Sequence, residues 1–558
     1  MPASARTVCS LIILVLVCHL SRAWAGTIDP VLAESLRTAP ADRAFPVIVR
    51  LRDRVDVAAL HAAVTRDERR VKLSRVIRTL REKADASQQV LKEELENREK
   101  RGGVTGIKPF WIFNGIALSA TADNVRQLAA RNDVLSVALD RIIRLRPRPQ
   151  AAVAAVSPPA EKAGGAAETL ALTAATSPTW NLDLIGARTL WSQGFRGQGV
   201  VVASLDTGVD VGHPALGHKW RGGSNSWFDP YRQTTAPYDV DGHGTGTMGV
   251  MVAGNTTDNP VGVAPGALWI AAKIFDDSGN ASLSVIHQAF QWVLNPDGDP
   301  ASADAPDVVN NSWDLENSGT YDNEFEGDIQ NLQAAGISVV FAAGNGGPQA
   351  NSSTSPGNNP GGFPVGATDS NDLILPFSSR GPSPFDGSLF PAIVAPGYHI
   401  HTTDLRATYS TFVNDGTSYA APHVSGAIAL LLSGRPPSLT GKADGIQNAL
   451  TASAWDLGGS GPDNVYGYGR LDVAQAAALI SLQAPSGPTG DVNGDGVVDI
   501  QDALIMLQAA VGAIPLSPLI MEQGDVAPFV GTTPHPDGAI TIIDVLGVLR
   551  KAVGLAAY

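Results

Sequence analysis

Cysteine is nearly absent from this chain of 558 residues, which has only Cys9 and Cys18. Both lie in residues 1–25, where an early arginine, an apolar core and a small-residue cleavage pattern predict a secretory signal peptide that is removed. A lipid anchor on Cys18 is the alternative, but Val17 is bulky where such sites usually have a small residue. A secreted chain without thiols has no disulfides, so its stability must come from its core or from metal ions.

Long apolar runs are also missing after the leader, so we predict no membrane span. Basic charge is scarce in most of the chain: residues 149–558 carry 14 Lys and Arg against 38 Asp and Glu, whereas residues 26–148 carry 24 against 16. The charges of the basic piece alternate in sign, which is typical of a solvated helix and disfavours nucleic-acid binding. Docking of the basic piece onto the acidic remainder explains the complementarity better.

Composition divides the rest of the chain into segments. These are a small domain at 26–148, a Pro- and Ala-rich linker at 149–178, a body at 179–483, a short joint at 484–489 and an Asp-rich domain at 490–558. Exposed linkers are preferred sites of proteolysis, so we expect a maturation cut in the first linker.

The first domain alternates between strand-like and helical patterns. The predicted strands are 45–51, 110–120 and 134–145, and the predicted helices are 55–101 and 122–130. The order β-α-β-α-β indicates a small α+β domain in which two helices cover one face of a sheet.

In the body, short apolar runs alternate with Gly-rich turns and Ala-rich helical stretches. The runs lie at 200–205, 268–274, 308–311, 337–342 and 392–394. Near-continuous apolar strands are typical of a parallel sheet that is buried on both faces. We therefore predict an α/β fold, a three-layer sandwich with a mostly parallel central sheet.

Three short segments of the body bring chemistry-bearing residues to the ends of predicted elements. Asp206 follows the run 200–205, at the strand end where ligand sites form in α/β sheets. His243 lies between two glycines, and Ser418 lies ahead of an apolar helical run at 427–432, where its backbone N–H has no partner within the helix. Taken singly, each residue has a structural explanation, such as a turn cap or a helix cap.

Taken together, these residues fit nucleophilic catalysis. A serine needs an imidazole to take its proton, and the imidazole needs a carboxylate to hold its tautomer, so Ser418, His243 and Asp206 supply the three roles. Asn345, at another predicted strand end, can join the Ser418 N–H in an oxyanion hole.

The motifs Asp206-Thr-Gly, His243-Gly-Thr, Ala343-Gly-Asn345 and Gly416-Thr-Ser418, in this order, resemble those of the subtilisin-like serine peptidases. The resemblance implies protein or peptide substrates and an inhibitory propeptide at 26–148 whose tail passes through the active site. It also implies a cleft that pairs with extended substrate. By this resemblance the substrate-binding residues are Asn311, Ser312, Trp313, Asp314, Ala343 and Gly344.

Two positions depart from the family pattern. The family commonly has histidine where this chain has Gly246, a position outside the triad at which we expect only packing to change. The family cleft segment usually ends in glycine where this chain has Asp314. A carboxylate near the cleft favours a basic substrate side chain.

The Asp-rich domain contains a calcium-loop pattern. Oxygen-bearing side chains recur at the spacing that gathers six or more oxygens around Ca²⁺, with glycine at the sharp turn. A degenerate second copy with an expanded loop follows, and a helix is predicted at 503–511 after the first. The predicted ligands are Asp491, Asn493, Asp495, Val497, Asp499 and Asp502 in the first copy and Asp525, Asp537, Thr541 and Asp544 in the second.

A doubled calcium loop resembles a dockerin domain, which implies a cohesin-type protein partner. The positions that usually contact a cohesin are apolar or atypical here, at 500–501 and 542–543. Docking of this domain onto the chain's own body is therefore an alternative.

We expect a secreted, monomeric serine endopeptidase that matures by loss of its propeptide and binds calcium through its C-terminal domain. The alternative is a non-catalytic, calcium-dependent binding or adhesion protein that uses the peptidase fold as a scaffold. Covalent labelling by a serine-directed fluorophosphonate separates the two.

Overall fold

The structure, a computed structural model, describes residues 26–146, 179–254, 261–411, 414–433, 439, 441–482, 490–493, 498–514, 520, 523–527, 529–530, 533–534 and 539–555. The predicted leader and both predicted linkers lie outside these residues. Within the described ranges, no helix is both long and apolar enough to cross a bilayer.

The N-terminal module is a five-stranded sheet with helices packed against it, as predicted for an α+β domain. Its strands are β1 Thr27–Ile28, β2 Ala44–Leu51, β3 Val104–Phe110, β4 Gly115–Thr121 and β5 Val134–Leu139, in the order β1-β5-β2-β4-β3. Its helices are α1 Pro30–Thr38, α2 Val57–Val64, α3 Arg69–Glu99 and α4 Ala122–Ala129. A further strand, β6 Ile142–Arg144, leaves this sheet and pairs with the body.

The predicted single helix at 55–101 was wrong, because the structure has α2 and α3 there. The residue before α3, Glu68, is extended, with φ of −61° and ψ of 153°, and this interrupts the helix. No Gly or Pro marks the break in the sequence.

The predicted single strand at 110–120 is a hairpin formed by β3 and β4. Asn114 turns the chain with a φ of +56°, and its side chain donates to the carbonyl of Asp53 at 2.6 Å. The dipeptide Asn114-Gly115 is a common hairpin signal, but the loop here spans residues 111–114 and Gly115 already belongs to β4.

The body is built on a seven-stranded sheet in which every strand pair is parallel. Its strands are β7 Val201–Asp206, β8 Trp227–Phe228, β9 Leu268–Lys273, β11 Val308–Asn311, β12 Ser338–Ala342, β13 Phe363–Thr368 and β14 Ile393–Pro396, in the order β14-β13-β12-β11-β7-β9-β8. The five predicted runs are confirmed as strands. No pattern in the sequence indicated β13, because Pro364 and Gly366 are typical turn residues.

Helices surround this sheet and complete the α/β fold. They are α5 Trp180–Leu184, α6 Ala187–Ser192, α7 His243–Val252, α8 Leu283–Leu294, α9 Glu326–Ala334, α10 Thr417–Leu432, α11 Ala443–Ala452 and α12 Val473–Leu479. Three short strands lie outside the main sheet: β10 Asn280–Ser282, which receives β6, and the hairpin of β15 Thr402–Asp404 and β16 Thr408–Ser410.

The sheet separates two cores, as a three-layer arrangement requires. In β7, Val202 belongs to the core that includes residues of α7 and α10, whereas Ala203 and Leu205 belong to the core that includes residues of α8 and α9. Because successive strand residues point to opposite faces, a strand buried on both faces is apolar throughout.

The N-terminal module packs on the second of these cores. Leu73 and Phe110 of the module share one apolar cluster with Phe290 and Phe325 of the body. Around this cluster, basic side chains of the module meet acidic side chains of the body. The pairs are Arg50 with Glu324, Arg69 with Asp307, Arg141 with Asp322 and Arg146 with Asp314. The docking predicted from the charge division is therefore confirmed.

The C-terminal region pairs two helices, α13 Ile500–Ala510 and α14 Ile542–Ala552, and has a small ribbon of β17 Phe529–Val530 and β18 Thr533–Pro534. Met506 of α13 and Val548 of α14 are fully buried in one small cluster. The helix predicted at 503–511 begins earlier than expected, at Ile500, because Asp499 caps it.

Candidate active site

Asp206 is the last residue of β7 and is 1% exposed. Its Oδ1 accepts from the Thr207 N–H and from Nδ1 of His243, both at 2.7 Å, and its Oδ2 accepts from the Thr247 hydroxyl at 3.3 Å. A carboxylate accepts hydrogen bonds, so the Nδ1 of His243 carries the proton and its Nε2 is left as the basic nitrogen.

His243 reaches Asp206 because glycines allow the turn after β7 to approach the start of α7. Gly208 has a φ of +113°, and a Cβ on it would lie 2.0 Å from the Tyr238 carbonyl oxygen. A Cβ on Gly244 would lie 2.2 Å from the Gly208 carbonyl oxygen. Only glycine permits these approaches, and they bring the first residue of α7 next to the end of β7.

Ser418 is the second residue of α10, where helix N–H groups lack intrahelical acceptors. Its Oγ donates to the Ser312 carbonyl at 3.0 Å, and the Ser312 hydroxyl donates to the Ser418 carbonyl at 2.8 Å. Ser418 is partly exposed, although Thr417 and Tyr419 on either side are fully buried. It lines one cavity together with His243 and Asn345.

Asn345 is held in a fixed orientation by the start of α10. Its Oδ1 accepts from the Thr417 N–H at 3.0 Å and from the Thr417 hydroxyl at 2.9 Å. Because a backbone N–H can only donate, these contacts identify the oxygen end of the amide. The Nδ2 end is then the one that can donate to a bound group. All four predicted catalytic residues are thus brought together.

A segment of the N-terminal module follows the cleft. Strand β6 runs antiparallel to β10 with Ile143 opposite Ala281, and the Leu145 N–H donates to the Gly279 carbonyl at 2.8 Å. The residues at 144–146 line the same cavity as the candidate catalytic side chains. We call residues 142–146 the tail. It binds by strand addition, the mode expected for extended peptide.

The predicted substrate-binding residues divide into two groups. Ser312, Trp313 and Asp314 line the cavity, whereas Asn311, Ala343 and Gly344 do not. Ala342, which was not predicted, also lines it. The fully buried Asn311 side chain donates to the Val340 carbonyl at 3.2 Å and so holds β11 to β12. The Ala343 N–H donates to the Val365 carbonyl.

Tyr419 occupies the space beside Gly246. A Cβ on Gly246 would lie 3.2 Å from the Tyr419 ring, and this ring meets His243 edge to face with centroids 5.9 Å apart. The departure from the family pattern at Gly246 is therefore matched by an aromatic ring next to the candidate base.

His423, also within the Ser418 motif, has a structural role. It is fully buried, its Nδ1 contacts the Tyr419 carbonyl at 2.8 Å and its Nε2 contacts the Asn181 amide at 2.7 Å. Burial lowers the pKa of His423 to about 4, although the Tyr419 carbonyl opposes the shift. The ring is therefore neutral at physiological pH and joins α10 to α5.

A buried ionic network crosses the interface between the N-terminal module and the body. Arg50 pairs with Glu324, which contacts Nε2 of His287 at 3.0 Å, and Nδ1 of His287 lies 3.0 Å from both oxygens of Asp328. Burial raises the pKa of Glu324, but Arg50 and His287 outweigh burial and lower it to about 2. Phe113 of the module lies over His287 with ring centroids 4.1 Å apart.

The predicted calcium ligands are only partly described, because Asp495, Val497 and Asp537 lie outside the described residues. Within the described part of the chain, no three His, Cys, Asp or Glu side chains form a group that could hold a metal ion. Asp491, Asn493, Asp499 and Asp502 in the first copy and Asp525, Thr541 and Asp544 in the second are described but do not by themselves form such a site.

The sequence reasoning missed two parts of this site. It did not identify β10, the strand that pairs with the tail, because Asn280–Ser282 carries no motif and its contribution is mainly backbone. It also missed the individual contacts of the tail. The run of arginines at 141, 144 and 146 in an otherwise apolar stretch was the available signal for a segment that meets an acidic surface.

Comparisons with known proteins agree with this geometry. Residues 197–469 match the Subtilase family. The chain is 36% identical over 453 residues to bacillopeptidase F of Bacillus subtilis (strain 168), a match that covers 76% of this chain and 29% of the relative. It is 34% identical over 306 residues to subtilisin E of the same strain, covering 54% of this chain and 72% of the relative.

Subtilisin of Bacillus pumilus is also 34% identical over 306 residues, and the match covers that protein completely. The chain thus spans less than a third of the length of bacillopeptidase F but most or all of the two subtilisins. The motif order, the parallel sheet and these matches lead to one assignment: the chain belongs to the subtilase family and is a subtilisin-like serine endopeptidase.

Proposed function

We propose that this protein is a secreted endopeptidase that cuts peptide bonds through an acyl-enzyme on Ser418. The observation that carries the proposal is the 2.7 Å contact between His243 and Asp206 in a site where Ser418 and Asn345 line the same cavity. The tail in this cavity is an extended peptide, which is the form of substrate that an endopeptidase must accept.

The first half of the reaction uses all four side chains. Rotation of the Ser418 hydroxyl away from the Ser312 carbonyl lets Oγ attack the substrate carbonyl while Nε2 of His243 takes its proton. Asp206 keeps the other ring proton on Nδ1 and stabilises the imidazolium. The oxyanion accepts hydrogen bonds from the Ser418 N–H and from Nδ2 of Asn345. Each such donor stabilises the transition state by roughly 3–4 kcal/mol.

Departure of the amine completes the first half, and hydrolysis of the acyl-enzyme is the second half. His243 gives its proton to the leaving amine, and the peptide bond breaks to leave an ester on Ser418. Water then enters, gives a proton to His243 and attacks the ester, and the collapse of this intermediate releases the new carboxyl group and restores the serine hydroxyl.

A serine-directed fluorophosphonate should form one covalent adduct, and peptide mapping should place it on Ser418. The matched control is Ser425→Ala on the same helix, whose hydroxyl donates to the Asn310 side chain at 3.1 Å outside the cleft. This variant should label normally. A processed, folded protein that takes no label would favour the non-catalytic binding or adhesion protein instead.

The N-terminal module fits the role of an inhibitory propeptide that must be removed. Its tail lines the cavity that contains the candidate catalytic residues, and its Arg50 completes a buried ionic network of the body. The match to bacillopeptidase F covers 76% of the chain and is longer than the predicted body at 179–483, so it includes residues outside the body. The cut position falls, by this proposal, between the tail and the body.

We further propose that the C-terminal domain binds calcium through a duplicated loop. Asp502 accepts from the N–H groups of Val492, Asn493 and Asp499 at 2.8–3.0 Å. This uses three of about four acceptor positions on the carboxylate, so one remains for a cation.

The second copy repeats this arrangement. Asp544 accepts from the N–H groups of Val526, Ala527 and Thr541 at 2.7–2.9 Å, and it also accepts from the Thr541 hydroxyl at 2.7 Å, which takes the fourth acceptor position. This equivalence places Ala527 where the first copy has Asn493, and Thr541 where it has Asp499. The first loop therefore has the better oxygen set for Ca²⁺, which is bound by carboxylate and carbonyl oxygens.

Calorimetric titration should show one tighter calcium site that Asp495→Ala removes, because this substitution deletes a carboxylate of the first loop. The matched variant Asp537→Ala, in the second loop, should leave the tighter step in place. Removal of calcium by a chelator should also lower the melting temperature of the C-terminal domain, since a ligand bound only to the folded state stabilises it. No binding heat at millimolar calcium would contradict the proposal.

We propose more specifically that this domain has a dockerin-like role and binds a cohesin-type partner. Ile500 is 65% exposed on α13, and Ile542 and Ile543 are 62% and 57% exposed on α14. Exposed apolar side chains at equivalent helix starts of the two copies fit a protein-binding surface.

A further inference from the structure

The last described residue of the tail, Arg146, forms an ion pair inside the cleft. Its Nε lies 2.9 Å from Oδ1 of Asp314, and the Asp314 side chain is 6% exposed. The same oxygen accepts from the Glu316 N–H at 2.6 Å, which fixes the carboxylate in place. Both members of the pair line the cavity that contains Ser418.

The register of the tail determines which side chain the carboxylate meets. Strand β6 pairs with β10 up to Arg144, and the Leu145 N–H donates to the Gly279 carbonyl, so the backbone enters the site in an extended form. Arg146 is the next residue and follows the last of these backbone contacts. It lines the same cavity as Ser312, whose carbonyl accepts from the Ser418 hydroxyl.

Backbone pairing of this kind accepts almost any sequence, so selectivity must come from side-chain contacts. We propose that Asp314 makes the cleft selective for arginine at the substrate position that Arg146 occupies, directly before the bond that Ser418 attacks. This inference rests on the proposed endopeptidase function and names its substrate class.

The electrostatics of Asp314 explain why a neutral residue is a poor replacement. Burial raises the pKa of the Asp314 carboxyl, and Arg146 opposes this shift. A substrate with a neutral side chain would leave a buried carboxylate either without a cation or forced to take up a proton, and both cost free energy. A basic side chain removes this penalty in the bound state.

Arginine fits better than lysine for a geometric reason. The guanidinium is planar and presents five N–H donors, one of which already reaches Oδ1 at 2.9 Å. A lysine ammonium is a more strongly hydrated point charge and loses more hydration when it is buried. Both should be accepted, with arginine ahead.

The test compares peptide substrates that differ only at this position, with the protein expressed as the full chain and processed. Arginine should exceed its neutral isostere citrulline in kcat/KM by about 100-fold or more, because a buried charge would otherwise lose its partner. Leucine should be disfavoured to a similar extent, and lysine should fall between. Equal rates for arginine and citrulline would overturn the inference without any protein variant.

The matched variant is Asp314→Asn, which keeps the size of the side chain and removes its charge. The ratio of arginine to citrulline should fall to within a few-fold of unity, and because both rates are measured on the same protein, this ratio does not depend on how far the substitution changes the overall rate. Normal labelling with an unchanged arginine preference would overturn the assignment to Asp314. If the wild-type protein is not labelled on Ser418, the proposed endopeptidase function is overturned, and this inference with it.

Discussion

Replacing Ser418 with alanine should lower kcat by about a million-fold, on the precedent of triad removal in subtilisin, which belongs to the same family. The substitution removes the oxygen that forms the acyl-enzyme in the proposed reaction, but it leaves Asn345 and the helix N-terminus to bind an oxyanion. A rate above that of the uncatalysed reaction should therefore survive. The measurement is hydrolysis of a peptide by purified protein under single-turnover conditions.

The same variant should accumulate as an uncut precursor if maturation is self-inflicted. Ser425→Ala is the control, because it also removes a hydroxyl from α10 but contacts Asn310 instead of the cleft. It should be processed and retain its kcat, with at most a loss of stability from the missing hydrogen bond. Normal processing of Ser418→Ala in a protease-free host would exclude self-cleavage, and residual activity above one hundredth of the wild type would exclude Ser418 as the nucleophile.

The candidate catalytic residues could be predicted because each lies at the end of an element with a strong local signal. The apolar run before Asp206 predicts a strand, and the apolar run after Ser418 predicts a helix, and the structure has both elements. The glycines on either side of His243 are explained by close packing, because a Cβ on Gly244 would collide with the Gly208 carbonyl oxygen and Gly242 has a φ of +92°. Local patterns were sufficient where the chemistry lies at such boundaries.

The surroundings of the site were less predictable, because they depend on contacts between distant segments. Asn311 was expected to bind substrate, yet its amide joins two strands of the sheet. Strand β13 was missed because Pro364 and Gly366 argue against a central strand, and tertiary packing overrides that preference. The partner of Asp314 could be described only as a basic group until the tail was placed beside it.

The N-terminal module shows the same limit. Its excess of basic charge predicted docking onto the acidic body, and this was correct. The buried histidine of that interface, His287, gave no sequence signal, since it lies within an ordinary amphipathic helix. Its ionic contacts form because the fold brings Glu324 and Asp328 next to it from another part of the chain.

Replacing Asp206 with asparagine should lower kcat by about 10⁴-fold and leave KM nearly unchanged. The side chain is 2% exposed and lies behind His243, so it makes no contact with a substrate in the cleft. An asparagine amide can donate to Nδ1, which favours the tautomer that carries its proton on Nε2. That nitrogen could then no longer accept the proton of Ser418, although every side chain would remain in place.

The control for this prediction is Thr247→Val, which removes the 3.3 Å hydrogen bond to Oδ2 of the same carboxylate but does not touch the 2.7 Å contact with His243. It should lower kcat less than tenfold, because the tautomer is unaffected and only the two contacts of the hydroxyl are lost, the one to Asp206 and one to the Gly244 carbonyl at 3.1 Å. Steady-state kinetics on one peptide should separate the two variants by about three orders of magnitude in kcat. If both variants lose activity equally, the role of Asp206 is to support the fold; if Asp206→Asn stays within tenfold of the wild type, the imidazole does not need its carboxylate to hold the productive tautomer.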